Sequence, residues 1–258
     1  NIVNILQGEQ GERIQAMIHT RSIEDDGRFL FMVTRNGTVK RLPANTLKNL
    51  RNNGIRALRM EEGDQLIAVR ETDGSQKILI ATHDGMAVCF DENDVRPMGR
   101  DAVGVRGIRL RQGDYVVGAA RAKVNHAVLA ITENGYGKRC SVSAFRRMNR
   151  PNMGVRCHRI TEKTGKLCGV GLVTEDDDLM MITDTGTLIR IAVAEISFLK
   201  GTDSSGVRVM KTSENASLVS FAPVAREDNE EIDAAAALDG EAQFEETAEA
   251  LSNAGITE

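Results

Sequence analysis

The stretch AVLAITENGYGKRC, residues 127–140, runs from consecutive apolar residues into Thr132, two polar residues and Gly135. The same order returns in FLFMVTRNGTVKRL (29–42), KILIATHDGMAVCF (77–90) and LMMITDTGTLIRI (179–191). The threonines are Thr34, Thr82, Thr132 and Thr183, and Gly37, Gly85, Gly135 and Gly186 stand 48, 50 and 51 residues apart. A second mark follows each first one. GIRAL (54–58), GVRGI (104–108), GVRCH (154–158) and GVRVM (206–210) begin Gly-x-Arg at steps of 50, 50 and 52 residues. Between the two marks lie the apolar pairs Leu47/Leu50, Val95/Met98, Phe145/Met148 and Ile196/Leu199. Three marks held in one register define an internal repeat of about 50 residues, the signature of an array or a propeller.

Each unit reads as antiparallel β-structure. Runs such as Phe29–Val33 and Leu179–Ile182 are apolar on successive residues, the pattern of strands covered on both faces. The turns Arg35-Asn36-Gly37, His83-Asp84-Gly85, Glu133-Asn134-Gly135 and Asp184-Thr185-Gly186 are tight hairpins in which glycine accepts a positive φ. Second hairpins are expected at Glu62-Gly63-Asp64 and Gln112-Gly113-Asp114. About four strands per unit need neighbours to cover them, so the units stack as blades in a ring or spiral. Four complete four-stranded units are expected near 13–60, 65–110, 115–160 and 167–211. Ile2–Leu6 reads as the close of an earlier unit, and Leu218–Val224 as the first strand of one that does not continue. Residues 1–225 then form one all-β domain.

Charge divides the chain at the same place. Residues 226–258 hold eleven acids and one base, whereas 1–225 hold the other 32 bases and 26 acids. A body of net charge +6 beside a segment of net charge −10 fits a polyanion-binding domain with an acidic, mostly disordered tail. Cys89, Cys140, Cys157 and Cys168 form no CxxC pair, and His19, His83, His126 and His158 supply no zinc-ligand spacing. No disulfide or metal is expected, and isolated thiols point to a reducing cytoplasm. No apolar run reaches the roughly 18–20 residues of a membrane span. The start, NIVNILQGEQGERIQ, has no secretory pattern and reads as a fragment cut from a longer chain. No GxSxG, P-loop or zinc motif is present, so no catalytic residue is assigned.

ENGYGKR (133–139), MMITDTGTLIR (180–190), AVGVRGIRL (102–110), NGTVKRL (36–42) and IVNIL (2–6) together resemble the C-terminal DNA-wrapping domain of bacterial DNA gyrase A. The resemblance spans residues 1–225, and the acidic stretch is similar to that of many proteobacterial gyrases. It implies a β-pinwheel, a propeller in which neighbouring blades exchange strands. It further implies that duplex DNA bends without sequence preference around a basic rim, in support of ATP-dependent negative supercoiling. The partners implied are duplex DNA and the rest of an A2B2 assembly, with ATP and magnesium handled by other domains. The family's Gln-Arg-Arg-Gly-Gly-Lys-Gly type box is absent; FRRMNRPNMG (145–154) lies in a later connecting element. The first blade and most of the second are therefore expected to lie outside this chain.

Bending duplex DNA calls for phosphate neutralisation along an arc. The candidates are Lys40, Arg41, Lys48 and Arg51; Arg96 and Arg100; Lys138, Arg139, Arg146, Arg147 and Arg150; and Arg190 and Lys200. The third unit, with five bases, should be the strongest site on one exposed face. The second, with Ala87, Val88 and Cys89 after its turn, should be the weakest. Arg56, Arg106, Arg156 and Arg208 are expected to bridge blades or satisfy carbonyls, and Gly37, Gly85, Gly135 and Gly186 to shape the turns. Competing readings are the homologous topoisomerase IV domain, a propeller that binds protein partners, and a propeller hydrolase.

Overall fold

The computed structural model describes residues 27–49, 54–123, 125–212 and 216–226. The chain divides into two compact units at Val224/Ala225, and of the second only Ala225 and Arg226 are described. The readings placed on Ile2–Leu6, Arg51 and the acidic stretch after Arg226 lie outside the described residues.

Among the described residues, four antiparallel sheets follow one another. The first contains β1 (Phe29–Thr34), β2 (Thr38–Pro43), β3 (Leu66–Thr72) and, further along the chain, β6 (Val105–Arg106), in the order β3-β1-β2-β6. The second contains β4 (Lys77–Thr82), β5 (Met86–Asp91), β7 (Val116–Ala122) and β10 (Val155–Arg156), in the order β10-β5-β4-β7. The third contains β8 (Ala127–Thr132), β9 (Tyr136–Ser141), β11 (Leu167–Val173) and β14 (Val207–Arg208), in the order β11-β8-β9-β14. The fourth has three strands, β12 (Asp177–Thr183), β13 (Leu188–Ala192) and β15 (Leu218–Ala225), with β12 central.

The sheets do not coincide with the sequence units. Each of the first three takes two strands from one unit and two from the next. The pair β1 and β2 is flanked by β3 and β6, which both belong to the stretch 65–110. The Gly-x-Arg strand therefore completes the preceding blade, with Thr38 paired to Arg106, Met86 to Arg156 and Tyr136 to Arg208. Among the described residues the fourth sheet has three strands, none of them an exchanged Gly-x-Arg strand. Leu218–Val224 lies in β15, which flanks β12 as β3, β7 and β11, the opening strands of their sequence units, flank β1, β4 and β8, so it holds the place of a unit's first strand. The inner strands β3, β7, β11 and β15 share a central cavity of about 460 Å³, lined by Ile67, Val117, Cys168 and Val219 among others.

Consecutive apolar residues are accounted for by two-sided burial. In β4, Ile78 and Ile80 pack with Phe31 and Val33 of the first blade, while Leu79 and Ala81 pack with Val128 and Ala130 of the third. In β8, Leu129 and Ile131 turn instead to Leu179 and Met181 of the fourth. Each fully buried Leu or Ile contributes about 1.5–3 kcal/mol, so every inter-blade core is a strong joint. On β12 and β13 the outer face lacks such cover, and Ile182 and Leu188 are exposed.

The repeated threonine has a specific task. Its hydroxyl accepts the amide four residues on: Thr38 on Thr34, Met86 on Thr82, Tyr136 on Thr132 and Thr187 on Thr183, at 3.1–3.3 Å. The amide of each turn glycine donates to the same threonine's carbonyl. Gly37, Gly85, Gly135 and Gly186 all hold positive φ, between 73° and 82°. In the first three blades the glycine carbonyl then accepts an amide from the exchanged segment, Gly107, Cys157 or Val209.

Candidate nucleic-acid interface

The basic pair after the turn is not on the surface. Lys40 and Lys138 are fully buried, and Arg41 and Arg139 are 4% exposed. The Lys40 ammonium donates to the carbonyls of Ala57 at 2.8 Å, Arg100 at 2.6 Å and Ala102 at 2.9 Å. Lys138 donates to the Thr202 carbonyl and, at 3.0 Å, to Ser204 Oγ. Burial lowers both ammonium pKa values from their usual range. Arg41 lies over the Phe29 ring at 3.7 Å, pairs with buried Glu92 at 3.2 Å and donates to Asn93 Oδ1 at 2.8 Å. Arg139 donates to the Ile196 and Ala194 carbonyls and pairs with Glu175 at 3.1 Å.

These four side chains are therefore corrected from polyanion ligands to fasteners. A buried cation needs fixed acceptors, and the acceptors here lie mostly on connecting segments of the following unit. The five-base exposed face expected of the third unit loses Lys138 and Arg139. The low rank of the second unit loses its basis too, because Val88 and Cys89 replace buried bases, not surface ones.

The remaining candidates gather on the connecting segments. After each short 3-10 turn (Glu92–Asp94, Val142–Ala144, Val193–Glu195) the chain crosses to the preceding blade. There Met98 N donates to Arg41 O at 2.9 Å, Met148 N to Cys89 O at 2.8 Å and Leu199 N to Arg139 O at 2.8 Å. One joint thus recurs at three junctions, and the exposed bases flank it. Arg96 and Arg100 sit at the first, Arg146 and Arg147 at the second and Lys200 at the third; Lys48 occupies the matching segment of the first unit. Arg147 pairs with Asp94 at 3.1 Å. Arg150 is half-buried, donating to the Asp94 and Arg106 carbonyls at 2.7 and 3.3 Å, and so braces the segment. Exposed Arg190 is held by Asp178 at 2.8 Å, on the sheet and away from these joints.

The Gly-x-Arg arginines are exposed, not buried. Arg156 pairs with Asp203 at 2.9 Å, and Arg208 donates to the Tyr136 hydroxyl at 2.8 and 3.2 Å, so these two do bridge units. The guanidinium groups of Arg56 and Arg106 make no hydrogen bond or ion pair among the described residues. A second basic row accompanies them: Arg59, Arg109, Arg159 and Lys211, each three residues further on and each exposed. The motif is Gly-x-Arg-x-x-Arg/Lys in all four units. This row was absent from the candidates above, although the sequence carries its signal, a base three residues after every repeat arginine.

Known proteins share this arrangement. The model of the family described as DNA gyrase C-terminal domain, beta-propeller, matches residues 28–73, 76–123, 126–173 and 177–225, one segment per blade. The DNA gyrase A protein of Streptococcus pyogenes serotype M3 is 56% identical over 228 residues, 88% of this chain. The chain spans 27% of that relative's length. A solved DNA gyrase A C-terminal domain superposes with a TM-score of 0.77 at 26% identity, covering 86% of this chain and 74% of its own. The C-terminal domain of DNA topoisomerase IV superposes with a TM-score of 0.80 at 28% identity, covering 93% and 74%. The chain belongs to the family of DNA gyrase C-terminal β-propeller domains.

Proposed function

We propose that this chain binds and bends duplex DNA, without sequence preference, as the wrapping domain of a DNA gyrase. The observation that carries the reading is the recurrence of exposed bases beside the same backbone joint at three successive blade junctions. Bases spaced by the blade repeat neutralise phosphates at intervals along a curved path, and such contacts offset the cost of bending. In the whole enzyme this domain supports ATP-dependent negative supercoiling of the type IIA class, in the cytoplasm. An A2B2 assembly supplies cleavage, ATP and magnesium through its other parts. The partial coverage of the gyrase A structure supports a propeller with further blades beyond these four. The proteobacterial likeness of the acidic stretch stands beside a streptococcal relative, so no lineage is part of the reading. The family match favours gyrase over the topoisomerase IV alternative.

The test is fluorescence anisotropy with two linear duplexes of unrelated sequence at 50 and 200 mM salt. The expected result is equal affinity for both and a steep fall with salt. Replacing Arg96, Arg100 and Arg146 with glutamine should lower the slope of log affinity against log salt by about 0.9 for each phosphate left unneutralised. Affinity independent of salt, or confined to one sequence, would sink the reading.

A further inference from the structure

The exchanged strand of the fourth unit lies along β9 and closes a pocket of about 380 Å³. Tyr136, Lys163, Arg208 and Lys211 line it together with Asn134 and Ser217. The Tyr136 side chain is almost wholly buried. Its hydroxyl accepts Arg208 Nη2 at 2.8 Å and Nε at 3.2 Å, and no described acceptor takes the hydroxyl hydrogen. The Lys163 ammonium and the Arg208 guanidinium each lie 5.4 Å from the Tyr136 ring centre. Among the described residues, none of the three cations has a carboxylate partner and no carboxylate lines the pocket.

The repeat supplies the comparison that singles this pocket out. One blade earlier, Arg156 and Arg159 occupy the matching places around Met86, with Arg111 lining the same pocket. There Asp203 takes both Arg156 and Arg159, at 2.9 and 3.2 Å, and Asp84 takes Lys166 at 2.5 Å. The third pocket therefore combines a buried hydroxyl donor with three cations that have no carboxylate partner among the described residues. Like charges brought together without a counter-ion repel, and an oxyanion seated among them relieves that repulsion. A guanidinium fork, two ammonium groups and a phenol O–H are the donor set of a phosphate group.

The geometry points to a phosphate-binding pocket formed by Tyr136, Lys163, Arg208 and Lys211 at the junction of the third and fourth units. It deepens the proposed function, on which it rests for its ligand: a backbone phosphodiester of the bound duplex. A free phosphate would satisfy the same donors, and the test separates the two sources.

Duplex affinity is measured across salt for the full chain, for the triple variant Lys163→Gln/Arg208→Gln/Lys211→Gln and for Tyr136→Phe, with thermal melts to confirm folding. In parallel, inorganic phosphate is titrated while the backbone amide signals of residues 136 and 211 are followed by NMR. A fall in affinity of roughly tenfold or more at low salt in the triple variant, with its salt slope reduced by about two to three, supports the phosphodiester. Tyr136→Phe should weaken binding with an unchanged slope. Unaltered duplex binding with saturable, variant-sensitive phosphate shifts keeps the pocket and assigns it to free phosphate. Unaltered duplex binding with no phosphate shifts overturns the pocket while the proposed function stands. Should the unmodified chain show no duplex affinity, the proposed function falls and the phosphate titration alone decides the pocket.

Discussion

At the scale of single residues, repeated positions are held by different neighbours. A Cβ added to Gly135 would lie 2.3 Å from the Met210 carbonyl oxygen, whereas one added to Gly186 would meet nothing within 4 Å. Both glycines have positive φ, which costs an L-residue about 1–2 kcal/mol. Gly135→Ala should therefore lower the melting temperature well beyond Gly186→Ala, because it also displaces an exchanged strand. Equal losses in calorimetry would show that backbone strain alone matters. His158 is a second such case. It is fully buried, Nδ1 lies 3.2 Å from the accepting Arg159 carbonyl, and Nε2 has no partner among the described residues. Burial first, and the Lys138 charge second, push its pKa from 6.5 down to about 4. The unfolded chain then binds more protons between these two values, so stability is lost as pH falls through that window. The loss is on the order of 3 kcal/mol. Urea midpoints from pH 7 to pH 4 should show it, and His158→Leu should lack it.

At the scale of elements, the two-residue strands β6, β10 and β14 are too short to hold by backbone pairing alone. Lys138 fastens the segment leading to β14, and Lys40 does the same before β6. The second blade has Val88 at this place and relies on apolar contact with Val155. Lys138→Ala should cost about 2–4 kcal/mol, through a cavity and unsatisfied acceptors. Lys138→Met, which keeps the stem and removes the buried charge, should cost clearly less. Burial lowers the lysine pKa, so the unfolded state binds more protons as pH approaches the usual lysine range. Stability from this group then rises with pH between the lowered pKa and the usual lysine value, and the rise should be missing in Lys138→Met. Denaturant midpoints that rise equally in both proteins would refute the fastener as a charged group.

For the molecule as a whole, charge sets the long-range behaviour. Residues 226–258 carry eleven acids and one base, opposed to a body of net charge +6. Removing them should raise duplex affinity at low salt, with the difference fading as the Debye length shrinks to about 8 Å at 0.15 M. Identical affinities of the full and shortened chains at 20 mM salt would leave the acidic stretch without an electrostatic role.

The sequence by itself determined the four repeats, their turns and the two-sided burial of their strands. Those properties are local: a glycine every 50 residues and unbroken apolar runs fix them without reference to distant contacts. It did not determine which strands share a sheet, because β6, β10 and β14 pair with strands more than 60 residues earlier. Nor did it decide which bases face outward. In NGTVKRL and NGYGKRC the lysine and arginine read as surface charge, yet the neighbouring unit covers both and supplies the acceptors that make a buried cation tolerable. Arg106, Arg156 and Arg208 show the opposite outcome, exposed on the edge strands β6, β10 and β14. Exposure in a strand-exchanged repeat is decided by the next unit along the chain, so only the tertiary structure could assign it.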